Sequence, residues 1–581
     1  MAPSPFSLLS ASWLPVRRRS GARHHIRPAE IATNFGDDPI VAFAWGRPDF
    51  DAASREFMIG LLATAFAPED GRAFKKYWRE PPGAAQLEDA FAPFADAFVL
   101  DGEGPRFGQD FDALEDPNYP NGRPLDLLFI DGASDNAITN TNTDFFIKRG
   151  RTANLSRAAA AIAVFALQTF CSGNRWLRRS LRGAGAVTTL LIPVESDAPL
   201  WRVLWLNTPA PNLQYPPPVE TKNKIFPWLA PTITSDGTPP RTVSPAASHV
   251  LLTLWATPRR IRLRFQENAE ETRCPITGEI DSIKITAFDQ APHGTKYVQF
   301  KHPLSPYNLQ KKTNDWSALH LRAGKIAYQH WPTLVWGPSD GGEPAAIVPT
   351  AKSRLQSLDI DRARLFVFGY SMDDMKAVTL VEATMPFFPS PPSIFEEAIK
   401  RFVDAADIVA ELTAHAVRRA KGVKKNEKTE KLVILGYDLD ANDKTAESSI
   451  RAMRNSYNDG DSIAALRESF FARTEQDFYF DLLPTCIEKL QSLEGDPAPT
   501  LRALAEKWRV RLKDEAIALF EEAVSFDDLP LKIMERAVPA RHDLLGTFLG
   551  YGAMGKKLFA ALELPPPQPA KKSAKKSGKA A

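Results

Sequence analysis

The feature that most constrains the fold is a change of texture at Met385-Pro386-Phe387-Phe388-Pro389. Before it, short β-branched or aromatic runs mix with helical stretches and Pro-rich connectors. After it, apolar residues recur at helical spacing over long segments. Residues 1–385 therefore read as a large mixed domain of α+β class. Within it, residues 57–66 are expected to be helical, because Phe57, Leu61, Leu62 and Ala65 share one face. Residues 203–206, 250–255 and 261–265 are expected to be short strands, with Pro-rich connectors such as 208–244 between them. Such brief strands favour α+β over a regular βαβ sheet. Residues 386–562 carry helical periods at 393–421, 462–473, 499–524 and 531–562 and read as a C-terminal four-helix bundle of roughly 175 residues. Residues 563–581 place Lys571, Lys572, Lys575, Lys576 and Lys579 among Ala and Ser, too polar to bury, and read as a disordered basic tail.

Composition sets outer bounds on function. The net charge of +2 means that any nucleic-acid contact must come from local basic patches and not from a global field. The 3 cysteines, Cys171, Cys274 and Cys486, lie far apart, which argues against a disulfide framework and fits a reducing, cytoplasmic compartment. The apolar opening around Phe6 to Val16 is followed, not preceded, by Arg17-Arg18-Arg19, so it reads as a first strand and not as a signal peptide. No later run reaches the ~18 apolar residues that a membrane span needs.

The catalytic and metal motifs fail on chemistry. Asp438-x-Asp440-x-Asn442 starts like a calcium loop, but Asp443 stands where Gly makes the turn and Ser449 where a bidentate Glu is needed. The histidines form no metal pair beyond the adjacent His24-His25, which point apart on a strand. Cys274-Pro-Ile-Thr-Gly has the outline of half a zinc knuckle without a second Cys and reads as a turn. Gly369-Tyr370-Ser371-Met372-Asp373-Asp374 lacks the second Gly of a nucleophile elbow. Its paired carboxylates either bind Mg²⁺ or, as the better reading, cap a helix after 365–368. No metal or cofactor is expected.

Contact chemistry is better represented. Asn140-Thr141-Asn142-Thr143-Asp144-Phe145-Phe146 sets amides and hydroxyls beside aromatics, ahead of an Ala-rich helix, a small-residue turn and Ser180-Leu181-Arg182-Gly183-Ala184-Gly185 leading into an apolar strand at 187–192. Arg175, Arg178, Arg179 and Arg182 crowd that turn. Lys296 stands in Thr295-Lys296-Tyr297-Val298, expected to be a hairpin strand, and Lys311-Lys312 follow His302-Pro303-Leu304-Ser305-Pro306-Tyr307. Such clusters either hold phosphates or are solvated faces. Gly183-x-Gly185 precedes a strand and opens no helix, so it is not a dinucleotide fingerprint.

Several landmarks, in order, resemble the large subunit of the type I-E CRISPR surveillance complex (Cascade), the CasA family. They are Phe6-Ser-Leu-Leu-Ser-Ala-Ser-Trp13-Leu-Pro15-Val16, Leu155 to Gln168, Ser180 to Thr189, Leu204-Trp-Leu-Asn207, His302-Pro-Leu-Ser-Pro306, Gly369 to Ala377, Ala540-Arg541 and Gly552-Ala-Met-Gly-Lys556-Lys557. The resemblance implies a non-catalytic protein. In that family the subunit contacts the 5′ handle of the guide RNA (crRNA) and reads the protospacer-adjacent motif (PAM) from the minor groove of double-stranded target DNA. It also helps to open the duplex, assembles with backbone and small subunits, and docks a helicase-nuclease.

Carried over by matching positions, the resemblance assigns Asn140, Phe145 and Phe146 to the RNA handle and Asn142 to the PAM. Gly173 and Asn174 fall on the family's glycine loop, and Lys296 on a lysine inserted into the minor groove. Lys311 with Lys312 match a basic pair on the DNA backbone, and Met375, Lys376 and Ala377 match a hairpin tip that wedges between base pairs. Lys376 departs from the Gln of some members, and the glycine loop here has one Gly. Two other readings fit the same residues: a Mg²⁺-dependent nuclease or nucleotide hydrolase using Asp373 and Asp374, and a scaffold whose helical bundle binds protein partners.

Overall fold

The computed structural model describes residues 5–132, 152–173, 177–310, 313, 315–321, 326–338, 341–373, 376–421, 424–425, 432–433, 459–524 and 531–565. The chain divides into two compact units, Met1–Ala323 with Thr333–Ser390, and Gly324–Pro332 with Pro391–Ala581. The fold class is α+β, with small sheets in the first unit and, in the described part of the second, helices together with one short strand pair, Lys424–Lys425 with Leu432–Val433.

The first unit is built around the helix Pro48–Ala65, which starts with Pro at its first turn and is buried over most of its length. Phe57 meets Phe98, Phe107, Phe165 and Trp255 edge-on at 5.7–5.9 Å, the geometry that the ring quadrupoles favour. Gly60 permits a close fit there, since a Cβ would lie 3.0 Å from the Trp255 ring. Beside this core runs the helix Arg157–Phe170, whose Ala-rich length lets neighbours approach closely and whose N-terminus is capped by Ser156 Oγ accepting from Ala159 N at 3.3 Å.

Among the described strands, three sheets of three strands form. Leu14–Arg18 sits between Arg23–Ile26 and Ile40–Phe43; Leu155–Ser156, Ile283–Ala291 and Arg260–Glu267 form the second; and Lys376–Phe387, Ala363–Asp373 and Thr188–Ile192 form the third. Every pairing in them is antiparallel. No helix among the described residues is long and apolar enough to cross a membrane.

Four expectations are corrected. Residues 203–206 belong to the helix Leu200–Leu206, because Leu200, Trp201, Leu204 and Trp205 bury one helical face and the two indoles stack at 5.3 Å. Residues 250–254 form a 3₁₀ turn, Val250–Leu254, started by His249 Nδ1 accepting from Leu251 N. Thr295 to Val298 is no hairpin strand but a single parallel bridge between Val243 and Tyr297. Asp373 caps no helix, since Ala363–Asp373 turns back as a strand with Asp373 opposite Lys376. For the helix Leu200–Leu206, burial of a whole face outweighed local propensity.

In the second unit Phe395–Ala420 packs against Asp459–Asp477, Ala498–Val524 and Leu531–Phe548. The period expected over 531–562 breaks at Gly550 and Gly552, both at positive φ, and resumes as Gly552–Ala561. Tyr328 anchors this unit, stacked on Phe478 at 4.2 Å with its hydroxyl 2.9 Å from Thr474 Oγ1.

Candidate nucleic-acid interface

The helix Arg157–Phe170 ends at Cys171, and the chain then makes a loop closed at its base by Ser180 N donating to Cys171 O at 2.9 Å. Arg259 Nη2 donates to Ser172 O at 2.5 Å, and the Cys171 thiol reaches Arg178 O at 3.7 Å. Burial pushes that thiol above its ordinary pKa. A Cβ on Gly173 would lie 2.9 Å from Arg179 N, so the loop can double back only with glycine there.

A second wall comes from residues 294–300. Val243 N donates to Lys296 O at 2.9 Å and Val298 N to Val243 O at 3.0 Å, while the Tyr297 hydroxyl accepts from Thr257 N at 3.1 Å. This pins the backbone on both sides of Lys296 and leaves its ammonium, among the described residues, without a hydrogen bond or ion pair. The hairpin Tyr307–Gln310 with Asp315–Ala318 supplies a third wall. Together they bound a cleft of about 570 Å³ whose lining includes Gly173, Arg178, Arg179, Lys296, Trp316 and His320.

The charges in this cleft are sorted. Arg182 is consumed by Glu56, whereas Arg178, Arg179 and Lys296 face a single lining carboxylate, Asp315. Arg179 is exposed and, among the described residues, has no ion pair. His320 is kept neutral chiefly by burial and then by the Arg179 charge. Its Nε2 lies 3.1 Å from the Arg182 carbonyl, which can only accept, so the ring proton sits on that nitrogen. Free cations, amide edges and an indole side by side suit phosphates and base edges.

The glycine pair behind the cleft is a joint. Gly183 has φ +90° and a Cβ there would sit 2.7 Å from His320 Nε2; Gly185 has φ +69° and a Cβ there would sit 2.5 Å from Tyr370 O. The segment thus passes between the cleft and the strand Ala363–Asp373. That strand and Lys376–Phe387 form the long hairpin on which Lys376 is exposed and Ala377 half-buried. At its side a depression of about 280 Å³ is lined by Arg47, Asp49, Asp131, Tyr370, Ala377 and Val378. Arg47 is committed there to Asp49 and Asp131 at 2.8 and 2.9 Å, so the lining has no spare cation and one carboxylate charge in excess. Burial pushes the Tyr370 hydroxyl far up, with the Asp49 and Asp131 charges adding to it.

The fold therefore brings Gly173 and Lys296 to one cleft and puts Lys376 and Ala377 on a separate hairpin. Asn140, Asn142, Phe145, Phe146, Asn174, Lys311, Lys312, Asp374 and Met375 lie outside the described residues. Trp316 and the exposure of Arg179 were missed from sequence; the alternation in Asp315-Trp316-Ser317-Ala318 is the one signal that could have placed Trp316 on a strand face. Among the described residues, no three His, Cys, Asp or Glu side chains are grouped to hold a metal ion.

The profile of the CRISPR-associated protein Cse1 family matches residues 7–519. A search of curated protein sequences finds no match. Among solved structures the chain is similar to Thermobifida fusca Cse1, with a TM-score of 0.63 and 16% identity over 96% of this chain and 98% of that one. It is similar to Thermus thermophilus CasA (Cse1), with a TM-score of 0.60 and 16% identity over 94% of this chain and 100% of that one. A chain of a CRISPR RNA-guided surveillance complex gives a TM-score of 0.60 at 14% identity, over 94% of this chain and 100% of that one.

Proposed function

The chain belongs to the Cse1 family of CRISPR-associated proteins, and from that premise we propose that it is the large, non-catalytic subunit of a type I-E RNA-guided surveillance complex. It recognises the PAM in double-stranded DNA, with Asn142 among the reading residues, contacts the crRNA 5′ handle through Asn140, Phe145 and Phe146, and helps to open the duplex. It assembles with the backbone and small subunits and docks a helicase-nuclease after target binding.

The observation that carries this reading is the cleft in which Gly173, Arg179 and Lys296 converge with one carboxylate among the lining residues. A minor groove offers a degenerate acceptor pattern, so a lysine donor reads it loosely and tolerates several related flanks. Gly173 lets backbone approach the groove wall where a side chain would stand off. The hairpin bearing Lys376 and Ala377 is long and ladder-paired, which suits a wedge that must offset unstacking of a few kcal/mol per step. Lys311 and Lys312 would meet the DNA backbone and Asn174 the groove.

The test is target-duplex binding by a guide-RNA complex reconstituted with and without this protein, on duplexes differing only in the base pairs flanking the target. Binding should depend on both the protein and the flank, and should weaken in Lys296→Ala and Lys376→Asp without loss of assembly. Flank-independent binding unaffected by either substitution would remove the assignment.

A further inference from the structure

We propose that Arg178 is a positioning residue: through Ser235 it holds the backbone at 177–180 and Lys296 at one spacing, and that spacing sets how sharply flanking base pairs are discriminated. This rests on the reading of the cleft as the PAM site.

Arg178 differs from the other cations of the cleft in what it touches. Its Nε donates to Ser235 Oγ at 2.6 Å and its Nη2 lies 3.4 Å from Ser235 O. Ser235 is 2% exposed, and its hydroxyl passes the connection on by donating to Gly294 O at 2.6 Å while its N–H donates to His293 O at 2.9 Å. Gly294 stands two residues before Lys296 and is pressed so closely on Pro258 O that a Cβ would lie 2.0 Å from it. A chain of hydrogen bonds thus runs from the loop to the backbone that carries Lys296.

Both ends of this chain are fixed. On the loop side the Arg178 carbonyl accepts from the Cys171 thiol, and Arg259 holds Ser172 O while its own N–H donates to Gln168 Oε1 of the preceding helix at 2.9 Å. On the other side the half-buried Tyr297, directly after Lys296, packs against Val243, Leu252 and Phe300, with its hydroxyl accepting from Thr257 N. Because Ser235 is neutral, the Arg178 charge still adds to the field of the cleft while its geometry is locked.

Base-edge reading requires a donor within a narrow distance and angle, whereas long cationic side chains follow phosphates over a wider range. Loss of the Arg178–Ser235 bond should therefore cost flank discrimination before it costs general duplex affinity. Ser235→Ala isolates this effect, since it removes no charge and the side chain is hidden from any duplex.

The experiment uses the full guide-RNA complex and reads the ratio of dissociation constants for a preferred and an altered flank. In Ser235→Ala the ratio should fall by about tenfold, the scale of one misread base pair, with an unchanged salt dependence. Arg178→Ala and Arg178→Gln lose the same charge, but Gln can still donate to Ser235, so Gln should retain more of the ratio than Ala. If Ser235→Ala fails to assemble, that pair decides the matter. A wild-type ratio in Ser235→Ala, or equal ratios in the Ala and Gln variants, together with loss in Lys296→Ala, overturns the positioning role and leaves the cleft reading standing. A wild-type ratio in Lys296→Ala as well overturns both.

Discussion

Arg182 Nη2 donates to both carboxylate oxygens of Glu56, at 2.9 and 3.2 Å, with only 2% of each side chain exposed. Its Nη1 reaches Thr188 Oγ1 at 2.8 Å and Ser305 Oγ at 3.3 Å, and the Thr188 hydroxyl donates back to Glu56 Oε1 at 2.7 Å. One charge pair thus ties the helix Pro48–Ala65 to the glycine joint and to the strand Thr188–Ile192. It lies behind the cleft and holds its rear wall.

Removing one partner strands the other charge. Glu56→Gln should destabilise the chain by about 3–5 kcal/mol, whereas a Glu56→Leu/Arg182→Met double variant should recover part of that loss. Chemical denaturation of the three proteins checks this; equal midpoints for the parent and Glu56→Gln would mean that the pair contributes nothing.

Burial holds His302 well below its ordinary value of 6.5, and the Arg182 charge pushes it further down. It is therefore neutral and makes no ion pair with Glu56 Oε2, 3.8 Å away. The unfolded chain binds a proton here near pH 6.5 and the folded chain only far lower, so this contribution is complete above that pH and is lost as pH falls below it. For His302 the slope approaches about 1.4 kcal/mol per pH unit. His24, His249 and His320 shift in the same direction, each chiefly through burial. Melting temperature should drop between pH 7 and 5.5, and His302→Gln should flatten the drop; an unchanged profile in that variant would assign it elsewhere.

Gly185→Ala places a methyl against backbone that cannot rotate away, at positive φ. The left-handed conformation alone costs about 1–2 kcal/mol, and the approach to Tyr370 O adds to it. Lower stability with weakened amide protection in Ala363–Asp373 is expected by hydrogen exchange. Wild-type protection there would show that the joint has slack.

If Lys296 and Arg179 each meet a phosphate or its close surroundings, the plot of log K against log salt should become shallower by about one for each Ala substitution. Ser235→Ala should leave that slope alone. Titrations of the reconstituted complex at several salt concentrations separate the two cases, and an unaltered slope in Arg179→Ala would make it a solvated surface residue.

Much of the architecture was readable along the chain. The helix Arg157–Phe170 and the long helices after Pro391 are local periodicities, and local patterns survive folding because each buries one continuous face. The strands at 203–206 and 250–255 were misread for the converse reason: Trp201, Trp205 and Leu252 are recruited by partners far off in sequence, which a short window does not see.

The site was legible only in part. Gly173 and Lys296 were singled out from a resemblance, and that they line one cleft was not readable along the chain. Nothing local distinguishes Arg178, Arg179 and Arg182, which stand within five positions of one another. Residue types, helical periods and the family were determined by the sequence itself, since each depends on neighbours along the chain or on the order of motifs. Which arginine would be buried against Glu56, which tied to Ser235 and which left exposed was decided by the tertiary structure, because the fate of a charge depends on burial and on partners that only the fold brings within reach.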